Sequence, residues 1–297
     1  MNNEVNNFVK FFLNFKSLRM LLLGFSSGLP ILLVFSTLSV WLVKAGVSRS
    51  TITMFSWAAL AYSFKFIWSP IIDNLRIPVK NYGHRKSWLL VSQLMIVFSL
   101  IFISFTDPTK TLMLTAIGSV MIAFSSASQD IIIDAYRIES APQKMQGVLS
   151  SMYIAGYRVA MLVAGAGSLY LASYFGLETY NANVWKKVYL IMASLMSVGI
   201  LTTLCSPEPN IKKKISLLNF NDQIKFFISF IFAISIFIII YSIVDNPFNN
   251  KAPLIKFLFE FMRVGLCFLG AAVFIFLLIK VNFIKKNSAT IAYLNPV

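Results

Sequence analysis

Apolar runs of about twenty residues recur along this chain, separated by short polar or basic stretches. At ~1.5 Å per residue, each run is long enough to cross the ~30 Å hydrocarbon core of a bilayer as a helix. The pattern predicts eight helices, at Leu18–Val43, Thr51–Ile72, Ser87–Phe105, Leu112–Asp134, Gly147–Tyr174, Lys187–Cys205, Ile224–Val244 and Leu254–Ile279. The polar stretches divide these into a tail over 1–17, a six-helix block over 18–205, a basic linker over 206–223, two further helices over 224–280 and a second tail over 281–297. The short alternating segments of a membrane β-barrel are absent. The fold class predicted is an all-α integral membrane protein.

Composition agrees. Of 297 residues, 58% are hydrophobic and 12% charged, about half the charge of a soluble domain, and the mean hydropathy is +0.75. A formal charge of +15 raises the question of nucleic acid. The basic residues fall in short loops between apolar runs, so they read as topology signals, and no nucleic-acid partner is expected. Counted on alternate sides of the membrane, sixteen basic residues share a side with both termini and seven lie opposite. Both termini are therefore expected in the cytoplasm. The first apolar run lacks a small-residue cleavage site and is read as an uncleaved helix. Two cysteines and one histidine build neither a disulfide framework nor a metal site, and no nucleophile–base set is visible, so neither an enzyme nor a cofactor is expected.

Three basic residues, Lys65, Arg158 and Arg263, lie inside predicted helices, where topology does not explain them. Charge at that depth is costly and calls for a partner or a wet cavity. Arg158 falls near the middle of helix five and is read as an anion-binding group or the partner of a buried acid. Lys65 sits two turns before the end of helix two, where snorkelling to the interface is the competing reading. Gln129, Asp130 and Asp134 close predicted helix four. Asp130 reads as a proton site or gate, and Asp134 as a local partner of Arg137. Glu260 and Arg263, three apart, read as a structural pair. Gly156, Ala160, Ala164, Ser168 and Ala172 recur every four residues, as do Ser119, Ala123 and Ala127. Such small stripes let membrane helices approach closely.

Asp73 at the end of helix two, followed after a gap by Gly83-His84-Arg85-Lys86, resembles the signature loop of the major facilitator superfamily. Further stretches resemble the AmpG muropeptide permeases within it: Gly24-Phe25-Ser26-Ser27-Gly28-Leu29-Pro30, Phe64-Lys65-Phe66-Ile67-Trp68-Ser69-Pro70, Ser126–Arg137, Gly156-Tyr157-Arg158 and Pro207-Glu208-Pro209. The match covers roughly residues 15–210, and acetyl-CoA transporters share parts of it. The resemblance implies a bacterial inner-membrane carrier that imports anhydro-muropeptides with protons, in peptidoglycan recycling linked to β-lactamase induction. The reading of the in-helix polar residues fits this, with Arg158, Lys65, Asp130 and Gln129 expected on the substrate or proton path. Asp73, Gly83, Arg85, Lys86, Asp134 and Arg137 would form a cytoplasmic gate or brace.

Such carriers have two six-helix halves with the site between them. This chain reads as the N-terminal half plus two helices without a clear counterpart. Transport is then expected to require a second copy or a separately encoded C-terminal half. An inactive remnant of a split gene is the other expectation.

Overall fold

A backbone N–H or C=O left unpaired in hydrocarbon costs several kcal/mol, so apolar runs of this length fold as helices. The computed structural model describes residues 14–75, 77, 82–176, 179–209, 220–245, 247 and 253–281, and all regular structure among them is helical. Most of the N-terminal tail, Arg76, Lys80, the linker from 210 to 219 with Lys212–Lys214, Lys251 and the tail from 282 lie outside the described residues.

In chain order the helices are α1 (Phe15–Val34), α2 (Ser36–Lys44), α3 (Arg49–Phe55), α4 (Ala59–Ser63), α5 (Ser69–Asn74), α6 (His84–Ser104) and α7 (Leu112–Ser140). They continue as α8 (Gln146–Leu162), α9 (Ser168–Tyr174), α10 (Ala182–Leu195), α11 (Ser197–Cys205), α12 (Phe220–Ile243) and α13 (Pro253–Lys280). Six stretches are long and apolar enough to cross a membrane: Phe15–Lys44, His84–Ser104, Leu112–Ser140, Gln143–Tyr174, Ala182–Cys205 and Leu254–Lys280. The protein is a multi-pass membrane protein.

The segment predicted as a continuous helix over Thr51–Ile72 is instead broken. It runs as α3, a 3-10 turn at Ser56–Ala58, α4, a second 3-10 turn at Lys65–Ile67, and α5. Pro70 supplies a cause: it has no N–H for the Phe66 carbonyl and disfavours helical geometry in the residue before it. The Ser69 hydroxyl reaches that carbonyl instead, at 3.4 Å. Helix four runs six residues beyond its predicted end, to Ser140, so Asp130 and Asp134 lie within α7 and do not close it. Between α8 and α9, Val163–Gly167 forms a π turn. A run of alanine and glycine accommodates that wider turn, and such turns are frequent at functional sites.

The described chain forms two units by internal contact. The first holds Asn14–Ile72 and Ile77–Pro209, the second Asp73–Leu75 and the last two helices. In the first unit, Leu29, Leu33, Leu38, Trp41, Leu100, Ile103, Trp185 and Tyr189 make a buried core, with Trp41 stacked on Trp185 at 5.7 Å between ring centres. A smaller cluster around Met20, Leu23, Ile132 and Leu149 lies toward the other end. At the Trp41 end, Tyr180 donates to Asp107 at 2.6 Å. Burial pushes the Asp107 carboxyl up, but bonds from Tyr180 and Thr109 and the charge on Lys110 outweigh it and hold it below its ordinary value.

The most extensive pairing joins α1 to α8. A Cβ on Gly24 would lie 2.1 Å from the Tyr153 carbonyl oxygen, and one on Gly156 would lie 1.9 Å from that of Leu21. The predicted small stripe is thus the seam along which these backbones touch. Further along it, Thr37 donates to the Ala164 carbonyl at 2.8 Å and meets Ser168 at 3.0 Å.

In the second unit, α12 and α13 pack antiparallel through Phe237 against Phe268 and Phe232 against Phe274. Arg263 pairs with Glu260 at 3.2 Å, stacks over the Tyr241 ring at 3.8 Å and donates to the Tyr241 carbonyl. The in-helix arginine therefore clamps its own hairpin.

Candidate functional site

Asp130 lies ten residues before the end of α7, ~15 Å along the helix axis. It lies within the membrane-length stretch Leu112–Ser140, where an acid is expensive and needs partners. It is 7% exposed. Ser27 of α1 donates to its Oδ1, and the Lys65 ammonium stands 4.0 Å from its Oδ2. The Ser27 hydroxyl also lies 2.9 Å from that of Tyr153 on α8. With the Ser27 proton given to Asp130, Tyr153 is the donor of that second bond. The result is a hydroxyl chain from Tyr153 through Ser27 to the carboxylate. The buried hydroxyls of Tyr62 and Ser126 lie beside it, and Trp68 Nε1 donates to Ser128 at 3.1 Å.

The broken helix gives Lys65 its place. It sits in the 3-10 turn before α5 with a side chain about one third exposed. It faces Asp130 and does not snorkel away. Ionised, the carboxylate accepts from Ser27 and balances Lys65. Protonated, it carries its own O–H and its charge no longer balances Lys65.

Gln129 is fully buried, with Nε2 donating to Ser26 Oγ at 2.9 Å. The tandem serines of α1 therefore meet the Gln129–Asp130 pair of α7 in register, Ser26 to the amide and Ser27 to the acid. Beyond Ser26, a Cβ on Gly199 would sit 2.1 Å from its hydroxyl, and Thr203 donates to Gln93 at 3.0 Å. Arg158 is exposed on α8, and Nη1 contacts Met161 Sδ at 3.7 Å. No acid pairs with it among the described residues.

Three of the predicted brace residues, Gly83, Arg85 and Lys86, meet two carboxylates that the sequence reading did not assign to them, Glu139 and Glu208. Arg85, 4% exposed on its side chain, forks onto Glu139 through Nε at 2.9 Å and Nη2 at 2.6 Å. Glu208 caps the start of α6, accepting from the Arg85 and Lys86 backbone N–H groups at 2.8 and 3.1 Å. Negative charge is favoured at a helix N-terminus. Any side chain on Gly83 would strike that carboxylate, 2.1 Å from Glu208 Cδ. Lys86 Nζ donates to the Leu204 carbonyl at 3.1 Å. Asp134 and Arg137 pair at 3.3 Å, and Arg137 also reaches Ser150. Asp73 lies on the last turn of α5 and belongs to the second unit.

Arg85→Ala is expected to cost about 3–5 kcal/mol, because it strands a largely buried carboxylate. The thermal midpoint of the detergent-solubilised protein reads this. Adding Glu139→Ala should restore part of the loss; strictly additive losses would show that the pair is not coupled.

Comparison with known proteins followed the same regions. Residues 17–113 match the family model described as acetyl-coenzyme A transporter 1, and residues 76–214 match that of sugar (and other) transporters. The AmpG 4 protein of Rickettsia felis is 33% identical over 292 residues, covering 96% of this chain and 65% of that protein. The anhydromuropeptide permease of Escherichia coli K12 is 36% identical over 205 residues, 69% of this chain and 40% of the permease. The AmpG 3 protein of Rickettsia prowazekii is 38% identical over 197 residues, 65% and 45% of the respective chains. The chain thus spans 65% or less of the length of these relatives.

Proposed function

Because this chain belongs to the AmpG family of membrane transporters, within the major facilitator superfamily, we propose that it supplies half of a proton-coupled import pathway for anhydro-muropeptides. The single observation behind this reading is the buried acid between two exchangeable partners, Asp130 bonded by Ser27 and facing Lys65 at 4.0 Å. A carboxylate of the solute takes the place of Asp130 at Lys65 when Asp130 is protonated. Deprotonation on the cytoplasmic side returns Lys65 to Asp130 and releases the solute. Arg158, exposed on α8 near the membrane centre, is a second anion contact on the pathway side. Gln129 holds α1 in register against α7, and the Arg85–Glu139 and Glu208 contacts brace the cytoplasmic ends.

Residues 18–205 supply one wall of this pathway. The protein sits in the bacterial inner membrane with both termini in the cytoplasm. Residues 18–205 form the transporter half, 206–223 the linker and 224–280 an added hairpin. A second reading, a carrier of acetyl-coenzyme A, is favoured by the family match over residues 17–113. Lys65 and Arg158 suit its phosphates as they suit a carboxylate.

Uptake of labelled anhydro-muropeptide into vesicles, by the chain alone and with a co-expressed second half, tests the proposal. Acetyl-coenzyme A is the competing solute. Arg158→Ala is expected to reduce uptake at least about tenfold, losing one charge-assisted contact, with membrane insertion unchanged. Full uptake by this variant would remove Arg158 from the pathway, and no uptake of muropeptide in either arrangement would end the substrate assignment.

A further inference from the structure

A cavity of about 510 Å³ opens at the end of the bundle opposite Trp41, remote from the Asp130 cluster. Its walls are the first turns of α1, the end of α7, the turn at Ala141–Pro142 and the Pro207–Pro209 segment. Two cations and two acids line it: Lys16, Arg19, Glu139 and Glu208. The acids are already engaged. Arg85 neutralises Glu139, and Glu208 is spent on the backbone N–H groups that open α6. The cations are not. Lys16 gives one of its three donors to the Ser140 carbonyl at 3.0 Å, and Arg19 has neither a hydrogen bond nor an ion pair among the described residues. With Glu139 offset by Arg85, the two cations outweigh Glu208, and the cavity presents net positive charge with several free N–H donors.

Topology explains why Lys16 and Arg19 lie at this end of the chain, but not why they line a cavity whose acids are occupied. Their neighbours supply the reason. Phe15 and Leu18 are 77% and 48% exposed on the same two turns, so α1 begins with a cationic stripe beside an apolar one. A free soluble anion has no use for the apolar stripe, whereas a membrane lipid brings a phosphate to the first and acyl chains to the second. We propose that this cavity binds the phosphodiester headgroup of an anionic lipid, with Arg19 and Lys16 as its donors and Phe15 and Leu18 against the chains. Lipid bound there bridges α1 to α7 and to the segment after α11, the last two of which the brace also joins.

The test uses the full-length protein purified in detergent, with phosphatidylglycerol and phosphatidylcholine offered at equal concentration and bound lipid counted by native mass spectrometry. Phosphatidylglycerol is expected to be retained preferentially. The paired change Lys16→Ala with Arg19→Ala should weaken that retention about thirtyfold, the loss of two cations from beside an anionic headgroup. Arg19→Lys should keep most of it. Lys144→Ala removes a positive charge outside the cavity lining and should change nothing. Equal retention of the two lipids, or equal loss with Lys144→Ala, would overturn the site. Full displacement by millimolar glycerol 3-phosphate would overturn the lipid assignment, since the apolar stripe would then contribute nothing.

Discussion

Gly156→Leu is expected to eliminate the folded monomer, and Gly156→Ala to destabilise it by at least about 1–3 kcal/mol, the usual cost of forcing a carbon into a packed interior. The new Cβ would stand 1.9 Å from the Leu21 carbonyl oxygen. That atom belongs to the backbone of α1 and cannot swing aside as a side chain would. Gly24 and Gly28 leave no slack, because their own Cβ positions meet the Tyr153 and Tyr157 carbonyls at 2.1 and 2.4 Å. Separating the helices would also pull Ser27 and Tyr153 apart, so the seam positions the site as well as holding the bundle. Gly147, in the same helix, has nothing within 4 Å of its Cβ position. Gly147→Ala should therefore be neutral or stabilising by up to about 1 kcal/mol. Monomer recovery by size exclusion after graded heating reads all three changes. An unchanged profile for Gly156→Ala would mean that the backbones are not in contact there.

Asp130→Asn should separate transport into its parts. Asparagine has the shape of the acid and its carbonyl still accepts from Ser27, so the fold is expected to survive. What goes is the exchangeable proton and the negative charge facing Lys65. Gradient-driven accumulation is expected to fall by about 10²-fold or more, the lower range of what a positioned proton-transfer group contributes. Lys65→Ala should instead lower solute affinity, since it removes the cation and leaves the titrating acid.

The spans were readable from hydrophobic runs because a bilayer sets their length. The polar contacts between spans were readable in proportion to how local they are. Asp134–Arg137 and Glu260–Arg263 are three apart on one helix, and spacing alone pairs them. Asp130 was recognisable as costly in its setting, but its partners lie 65 and 103 residues away along the chain. No periodicity carries that information. Ser26 and Ser27 stood only within a family-like stretch, without a role of their own, because serines in apolar helices commonly bond their own backbone. Two such residues beside Gly24 and Gly28, on the face of closest approach, were the available signal. Glu139 and Glu208 escaped for the same reason, as tertiary partners of a basic turn. The break in helix two hung on Pro70, whose effect on a membrane helix depends on whether a neighbour such as Ser69 can serve the freed carbonyl. That break brings Lys65 to the acid.

Vesicles containing Asp130→Asn protein, assayed beside wild type for gradient-driven accumulation and for exchange of labelled against unlabelled anhydro-muropeptide without a gradient, test the central claim most directly. With the second half present where transport needs it, wild type should accumulate solute and lose that accumulation when a protonophore collapses the gradient. Asp130→Asn should still exchange solute but fail to accumulate it. Accumulation by Asp130→Asn at the wild-type rate, still abolished by the protonophore, would show that the coupling proton is carried elsewhere and would contradict the account.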